Sequence, residues 1–219
     1  MQRFVTQNGL SLAMLALFAV SLVGQVGSGF AQANDDRAQH GQAPQSLATY
    51  LGSGHFIEAV FENWESEFLQ MGVFVVLTVG LRQKGSSESK SVDGGEEAVD
   101  REPRDRPGAP WPVRRGGLAL AVYQHSLSLA LFALFAGSFA LHAVGGSMEY
   151  NEEQAAHGAP DRVTPASYVA TPRFWFESFQ NWQSEFMSVG ALIVLSIFLR
   201  ERGSPESKPV DAPHAETGE

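Results

Sequence analysis

Not one cysteine occurs in the 219 residues. Disulfides, zinc-thiolate sites, iron–sulfur clusters and cysteine nucleophiles are therefore excluded, while the redox compartment stays open. Basic residues are scarce: 15 lysines and arginines face 24 acids, for a net charge of −9. A nucleic-acid binder needs a basic face, so that class of partner is set aside. Catalytic signatures are missing too. There is no G-x-S-x-G, H-E-x-x-H, P-loop or dinucleotide fingerprint. No nucleophile stands beside a base, so we expect no enzyme and no cofactor.

What is present comes twice. Phe61-Glu62-Asn63-Trp64-Glu65-Ser66-Glu67-Phe68 returns as Phe179-Gln180-Asn181-Trp182-Gln183-Ser184-Glu185-Phe186, a shift of 118 residues. Leu10-Ser11-Leu12-Ala13 returns as Leu127-Ser128-Leu129-Ala130, a shift of 117, and Gly85 to Lys90 returns as Gly203 to Lys208. A constant offset across most of two halves implies a duplicated unit.

The mean hydropathy of −0.09 averages very polar loops with apolar runs. Leu10 to Phe30 and its copy, Leu127 to Gly146, carry no charge, and each has the ~20-residue length of a bilayer-spanning helix. Phe68 to Leu81 and Phe186 to Leu199 are shorter and end at Arg82 and Arg200. Counted back ~20 residues from those arginines, the spans begin at Glu62 and Gln180. The expected fold is all-α: a membrane-embedded four-helix bundle of two tandem helical hairpins, with lipid as its principal partner. The first hairpin is 1–94, with spans at about 10–30 and 62–82; the second is 118–211, with spans at about 127–146 and 180–200. A charged, proline-rich linker (95–117) joins them, and 212–219 is a disordered tail. The first span has a rival reading. Arg3, the apolar run and Ala31-Gln32-Ala33 outline a secretory signal peptide, but the copy at Leu127 lies mid-chain.

Lysine and arginine orient the hairpins. Eight lie between Arg82 and Arg115, and Arg200, Arg202 and Lys208 follow the last span. Positive loops stay cytoplasmic, which places both termini and the linker inside. Arg82 to Gly85 and Arg200 to Gly203 have the form of helix ends, with cations on the negative dipole and a closing glycine.

Asn63 and Glu67 share a helix face, as do Asn181 and Glu185. At 1.5 Å per residue, Glu67 and Glu185 lie ~22 Å above the cytoplasmic boundary, and so do Gln25 and His142. The six are expected to form one intramembrane polar layer, with a glutamate against His142 and with Trp64 and Trp182 as interfacial anchors. Three readings stay open: a proton- or cation-responsive site, hydrogen-bonded glue between helices, or glutamates wetted among the headgroups. In the outward loops, Asp36 with His40 and Glu153 with His157 stand four apart. They offer two carboxylates and two imidazoles to a divalent metal, or simply close a helix at the following glycine.

Several longer strings also carry a resemblance. Asn181 to Phe186 (NWQSEF), Leu199 to Val210 (LRERGSPESKPV), Ala212-Pro213-His214 and Tyr150 to Gly158 (YNEEQAAHG) resemble an uncharacterised family of bacterial four-helix membrane proteins, known as a domain of unknown function. The first half departs from that pattern, with Ser87 and Ser91 in place of prolines and Asn34-Asp35-Asp36-Arg37 in place of N-E-E-Q. The resemblance implies a bacterial inner-membrane location and brings no activity. The expected role is structural or interactive, in the envelope, as a homo-oligomer or with another membrane protein. The rival is a small transporter using Glu67 and Glu185.

Overall fold

A computed structural model describes residues 2–92, 97–104, 106–158 and 162–217. Residues 93–94 of the expected first hairpin, 95–96 and 105 of the expected linker, 159–161 of the expected second hairpin and 218–219 of the expected tail lie outside the described residues. The described residues form helices and no strand: α1 (Gln2–Gln39), α2 (Leu47–Leu51), α3 (Gly54–Gly80), α4 (Trp111–Arg115), α5 (Gly117–Gln124), α6 (Ser126–Ala156), α7 (Pro165–Tyr168) and α8 (Pro172–Phe198). Two of them are long and apolar enough to cross a membrane, over Arg3–Gln39 and Ser126–Ala156. The helices α3 and α8 have 27 residues each, but their N-terminal halves hold Glu58, Glu62, Glu65 and Glu67, or Arg173, Glu177 and Glu185. Both α1 and α6 run beyond their apolar stretches and take in the acidic residues at 35–36 and 152–153. The Ala31–Ala33 segment is helical.

The chain divides into two units, one of residues 1–61 and 141–170, the other of residues 62–140 and 171–219. In the first unit, short caps set the helix starts. Ser46 accepts from the Thr49 amide at the start of α2, and Thr164 accepts from the Ser167 amide at the start of α7. These hydroxyls satisfy N–H groups that the first helical turn leaves bare. Asn34 and Asn151 each clamp the loop that follows their helix. Asn34 Oδ1 accepts from the Gln45 amide at 2.7 Å and Asn151 Oδ1 from the Val163 amide at 2.8 Å. Their amide groups donate back to the Gln45 and Val163 carbonyls. Tyr50 packs on Gly29, and Tyr168 packs on Gly146, where any Cβ would strike the ring.

The start of α3 and the end of α6 approach backbone to backbone. A Cβ on Gly54 would collide with the Glu149 amide nitrogen, and one on Gly145 with the backbone of Ile57 and Glu58. Small residues of this kind let helices meet closely where apolar burial cannot drive them together.

In the second unit, the chain leaves α3 and α8 through one repeated turn. Arg82 Nη1 donates to the Val79 and Leu81 carbonyls, and Arg200 Nη1 to those of Ser196, Ile197 and Leu199. The expected cations therefore sit on the helix C-termini. The glycines do not close the helices. Gly85 (φ 88°) and Gly203 (φ 90°) belong to the next turn, in the left-handed region that favours glycine. Ser89 Oγ accepts from the Gln83 amide and Ser207 Oγ from the Glu201 amide. The two lysines then part ways. Lys90 pairs with Asp100, whereas the buried Lys208 donates to the carbonyls of Pro213, His214 and Glu216. The expected tail thus folds back, and Thr217 Oγ1 accepts from the Gly85 amide at 2.8 Å. The linker carries α4, and the apolar α5 begins at its last residue, Gly117.

The second unit holds a hydrophobic contact of ordinary kind as well. The Phe132 ring covers Gly72, and Phe135, Phe139, Phe174, Trp175, Phe179 and Trp182 form a continuous aromatic cluster.

Two predictions follow from this packing. Gly145→Ala is expected to destabilise the protein by about 1–3 kcal/mol through overpacking. Gly137→Ala, where nothing lies within 4 Å, should be neutral or stabilise by up to about 1 kcal/mol; thermal unfolding in detergent compares them. The second prediction concerns Glu88. Burial first, then the charge of Glu206, push its carboxyl up, against the hydrogen bond from Ser87. A raised acid favours the folded loop at low pH, and that advantage disappears as pH climbs through the folded-state value. Unfolding midpoints should therefore fall with rising pH in the window opening at about 4.5, the ordinary value, and Glu88→Gln should remove that slope.

Candidate functional site

The buried side chains of this protein are mostly polar. The first unit buries Glu58, His142 and Ser147, and the second Glu65, Ser66, Gln70, Ser138 and Ser178, among others. Leucine, valine and phenylalanine side chains are abundant on the exposed surface.

In the first unit, the approach of α3 to α6 brings a carboxylate and an imidazole together. Glu58 is 8% exposed and His142 is 0% exposed. Their ligand atoms come within 4.8 Å of each other. Tyr168, also fully buried, donates from Oη to Glu58 Oε1 at 3.3 Å. The carboxylate beside His142 is thus Glu58. Such a pair can hold a proton between its members, or offer one oxygen and one nitrogen to a divalent cation. Nearby, Tyr50 Oη lies 3.4 Å from His55 Nδ1, and burial, then the charge of Glu149, push the Tyr50 phenol up.

In the second unit the central polar contact joins α3 to α8. Trp182 Nε1 donates to Glu65 Oε1 at 3.0 Å, and Glu65 is 0% exposed. Glu67 and Asn63, on the other side of the same helix, are exposed. Glu185 is half-buried and feels the charge of Glu67. Asn181 is half-buried, and its Nδ2 donates to the Glu177 carbonyl one turn earlier. Gln25 and His142 belong to the first unit, where Gln25 Nε2 donates to the Ala59 carbonyl at 3.5 Å. Trp64 is half-buried with its ring 6.4 Å from Phe68, while Trp182 sits within the aromatic cluster.

The four residues considered for a metal lie at the ends of α1 and α6. His40 Nδ1 donates to the Asp36 carbonyl and His157 Nδ1 to the Glu153 carbonyl, each at 2.8 Å. Both imidazoles are exposed, and each is bonded to a carbonyl of the last turn of its own helix.

Sequence reasoning passed over Glu58, Tyr168 and Glu65. Position 65 becomes Gln183 and position 58 becomes Phe176 in the second copy, so a search for positions kept in both copies discards them. Tyr168 was within reach of that search, because Tyr50 stands 118 residues earlier after an equivalent cap.

The full length of the sequence, residues 1–219, matches one family. The chain belongs to the family described as a domain of unknown function (DUF6766). No curated protein matches the chain. No solved structure matches it either.

Removing the indole donor with Trp182→Phe takes one hydrogen bond from a buried carboxylate and should cost about 1–3 kcal/mol. Glu65→Gln keeps an acceptor, as Gln183 does in the other copy, and should cost less than Glu65→Leu. Denaturant unfolding of the three variants in detergent checks the order.

Proposed function

We propose that this chain is a non-catalytic, multi-pass membrane protein of the bacterial envelope, built from two tandem helical hairpins that arose by internal duplication. Its role in this reading is structural or interactive: it holds a place in the bilayer and presents its loops to a second copy or to another membrane protein. The carrying observation is the distribution of polarity. Carboxylate, imidazole and hydroxyl groups are buried, while Leu10, Leu15, Val20, Val23, Val79 and Leu129 are among the many exposed apolar side chains. Water disfavours that arrangement and lipid favours it.

Three further observations support the finer reading. Two helices have the length and apolarity to cross a bilayer. The asparagine clamps, the N-caps and the post-helix turns use the same bonds at positions 117–118 residues apart. The basic residues that follow α3 and α8 favour a cytoplasmic side for both turns. In this topology the termini and the linker are cytoplasmic, and α3 and α8 cross as the second helix of each hairpin.

Reporter fusions at Lys90 and Lys208 are expected to read the cytoplasm and a fusion at Gln42 the opposite face. Opposite readings at Lys90 and Lys208 would reject the parallel hairpins. A second reading, a small proton- or cation-responsive transporter, draws on the carboxylates that both copies keep, Glu67 and Glu185. Under it, Glu67→Gln and Glu185→Gln abolish proton or cation flux in vesicles without lowering the unfolding midpoint. Absence of flux in the unmodified protein rejects it.

A further inference from the structure

The linker ahead of α6 has a charge and a polarity that the rest of the chain does not share. Between residues 101 and 115 stand five arginines against Glu102 and Asp105, in a protein whose net charge is −9. Arg101, Arg104 and Arg106 are all exposed and line one open cavity of about 610 Å³, with Glu102 the acidic lining group among the described residues. On α4, Trp111 is exposed and the Arg115 guanidinium stacks 5.1 Å from its ring centre. Then comes α5, GLALAVYQ, with no charged residue and with Leu118 86% exposed. Only His125 separates α5 from α6, one of the two helices long and apolar enough to cross a membrane.

Each part fits one surface. Guanidinium groups recognise phosphate oxygens in a forked geometry that ammonium groups do not reproduce. An indole stacked by arginine prefers the boundary between headgroups and chains. An exposed apolar helix of eight residues is too short to span a bilayer but suits burial in its interfacial layer. The covalent link to α6 holds all three at the bilayer surface. We infer that residues 101–104 and 106–124 form a docking surface for anionic phospholipid headgroups, with the arginine-lined cavity holding their phosphates and α5 lying in the interface. The inference rests on the membrane reading above and adds to it a lipid preference. Charge complementarity selects the occupant: the inner leaflet is negative, and each arginine near it adds to the attraction.

The absence of cysteine permits a clean test with the full chain. Leu118→Cys and Leu134→Cys, both at exposed positions, each receive an environment-sensitive fluorophore. The labelled proteins are reconstituted in vesicles of phosphatidylcholine alone or mixed with phosphatidylglycerol, with spin-labelled lipids as quenchers. The label at 134 should be quenched in both lipids. The label at 118 should be quenched roughly twofold more strongly in the anionic vesicles, and molar salt should reverse the gain. Changing Arg101, Arg104 and Arg106 together to glutamine should abolish the gain, and changing them to lysine, which keeps the charge without the fork, should restore only part of it.

Equal quenching at 118 in both lipids, with 134 quenched, overturns the lipid preference and leaves the membrane reading intact. No quenching at 134 overturns the membrane reading itself. A gain at 118 that survives the glutamine changes overturns the assignment to the arginines. Reversal by inorganic phosphate, but not by chloride of equal ionic strength, overturns the lipid assignment in favour of a free-phosphate site.

Discussion

The backbone contact between α3 and α6 at Gly54 and Gly145 is the constraint on which the first unit depends. Side chains at either position would drive the helices apart. Their closeness brings ligand atoms of the buried Glu58 and His142 within 4.8 Å of each other, and Gly146 leaves the flat seat that the Tyr168 ring fills. A buried carboxylate is costly unless donors meet it, and Tyr168 Oη supplies one. Polar burial here is a product of glycine packing and not of a charged pocket assembled by long side chains.

A different solution operates in the second unit, where bulk fills the space. Aromatic rings from α6 and α8 interlock, and the buried Glu65 finds its donor in Trp182, itself part of that cluster. The carboxylate is thereby oriented by a residue whose position is fixed by packing. Glycine approach and aromatic filling thus produce the same outcome, an acid held away from water with a ring-borne donor.

Much of the helical framework was legible in the sequence. The apolar runs and the repeat point to the four long helices, and Arg82 and Arg200 sit at the ends of α3 and α8 as the dipole argument requires. Helix length was underestimated for α1 and α6, because charged residues at 35–36 and 152–153 break the apolar pattern without breaking the hydrogen-bonded spiral. The glycines at 85 and 203 have the look of helix stops in the sequence, whereas four residues separate them from the helix ends and a serine-capped turn uses them. The buried acids were less accessible. Depth along a helix can be counted, but which flank faces inward depends on partners distant in sequence. Position 65 is buried and 67 exposed, a difference of two residues that no periodicity within the motif decides.

The two lysines at equivalent places in the repeated turn hold their surroundings by different physics. Lys90 is matched to a carboxylate that is 39% exposed, so mobile ions compete for both partners. Lys208 is gripped by three peptide oxygens with almost no solvent access, and dissolved salt has little purchase on dipoles so enclosed. Of the two copies of this turn, the first is thus fastened by a brine-sensitive clasp and the second by a brine-indifferent one. Seawater and fresh water would loosen the former unequally while leaving the latter shut.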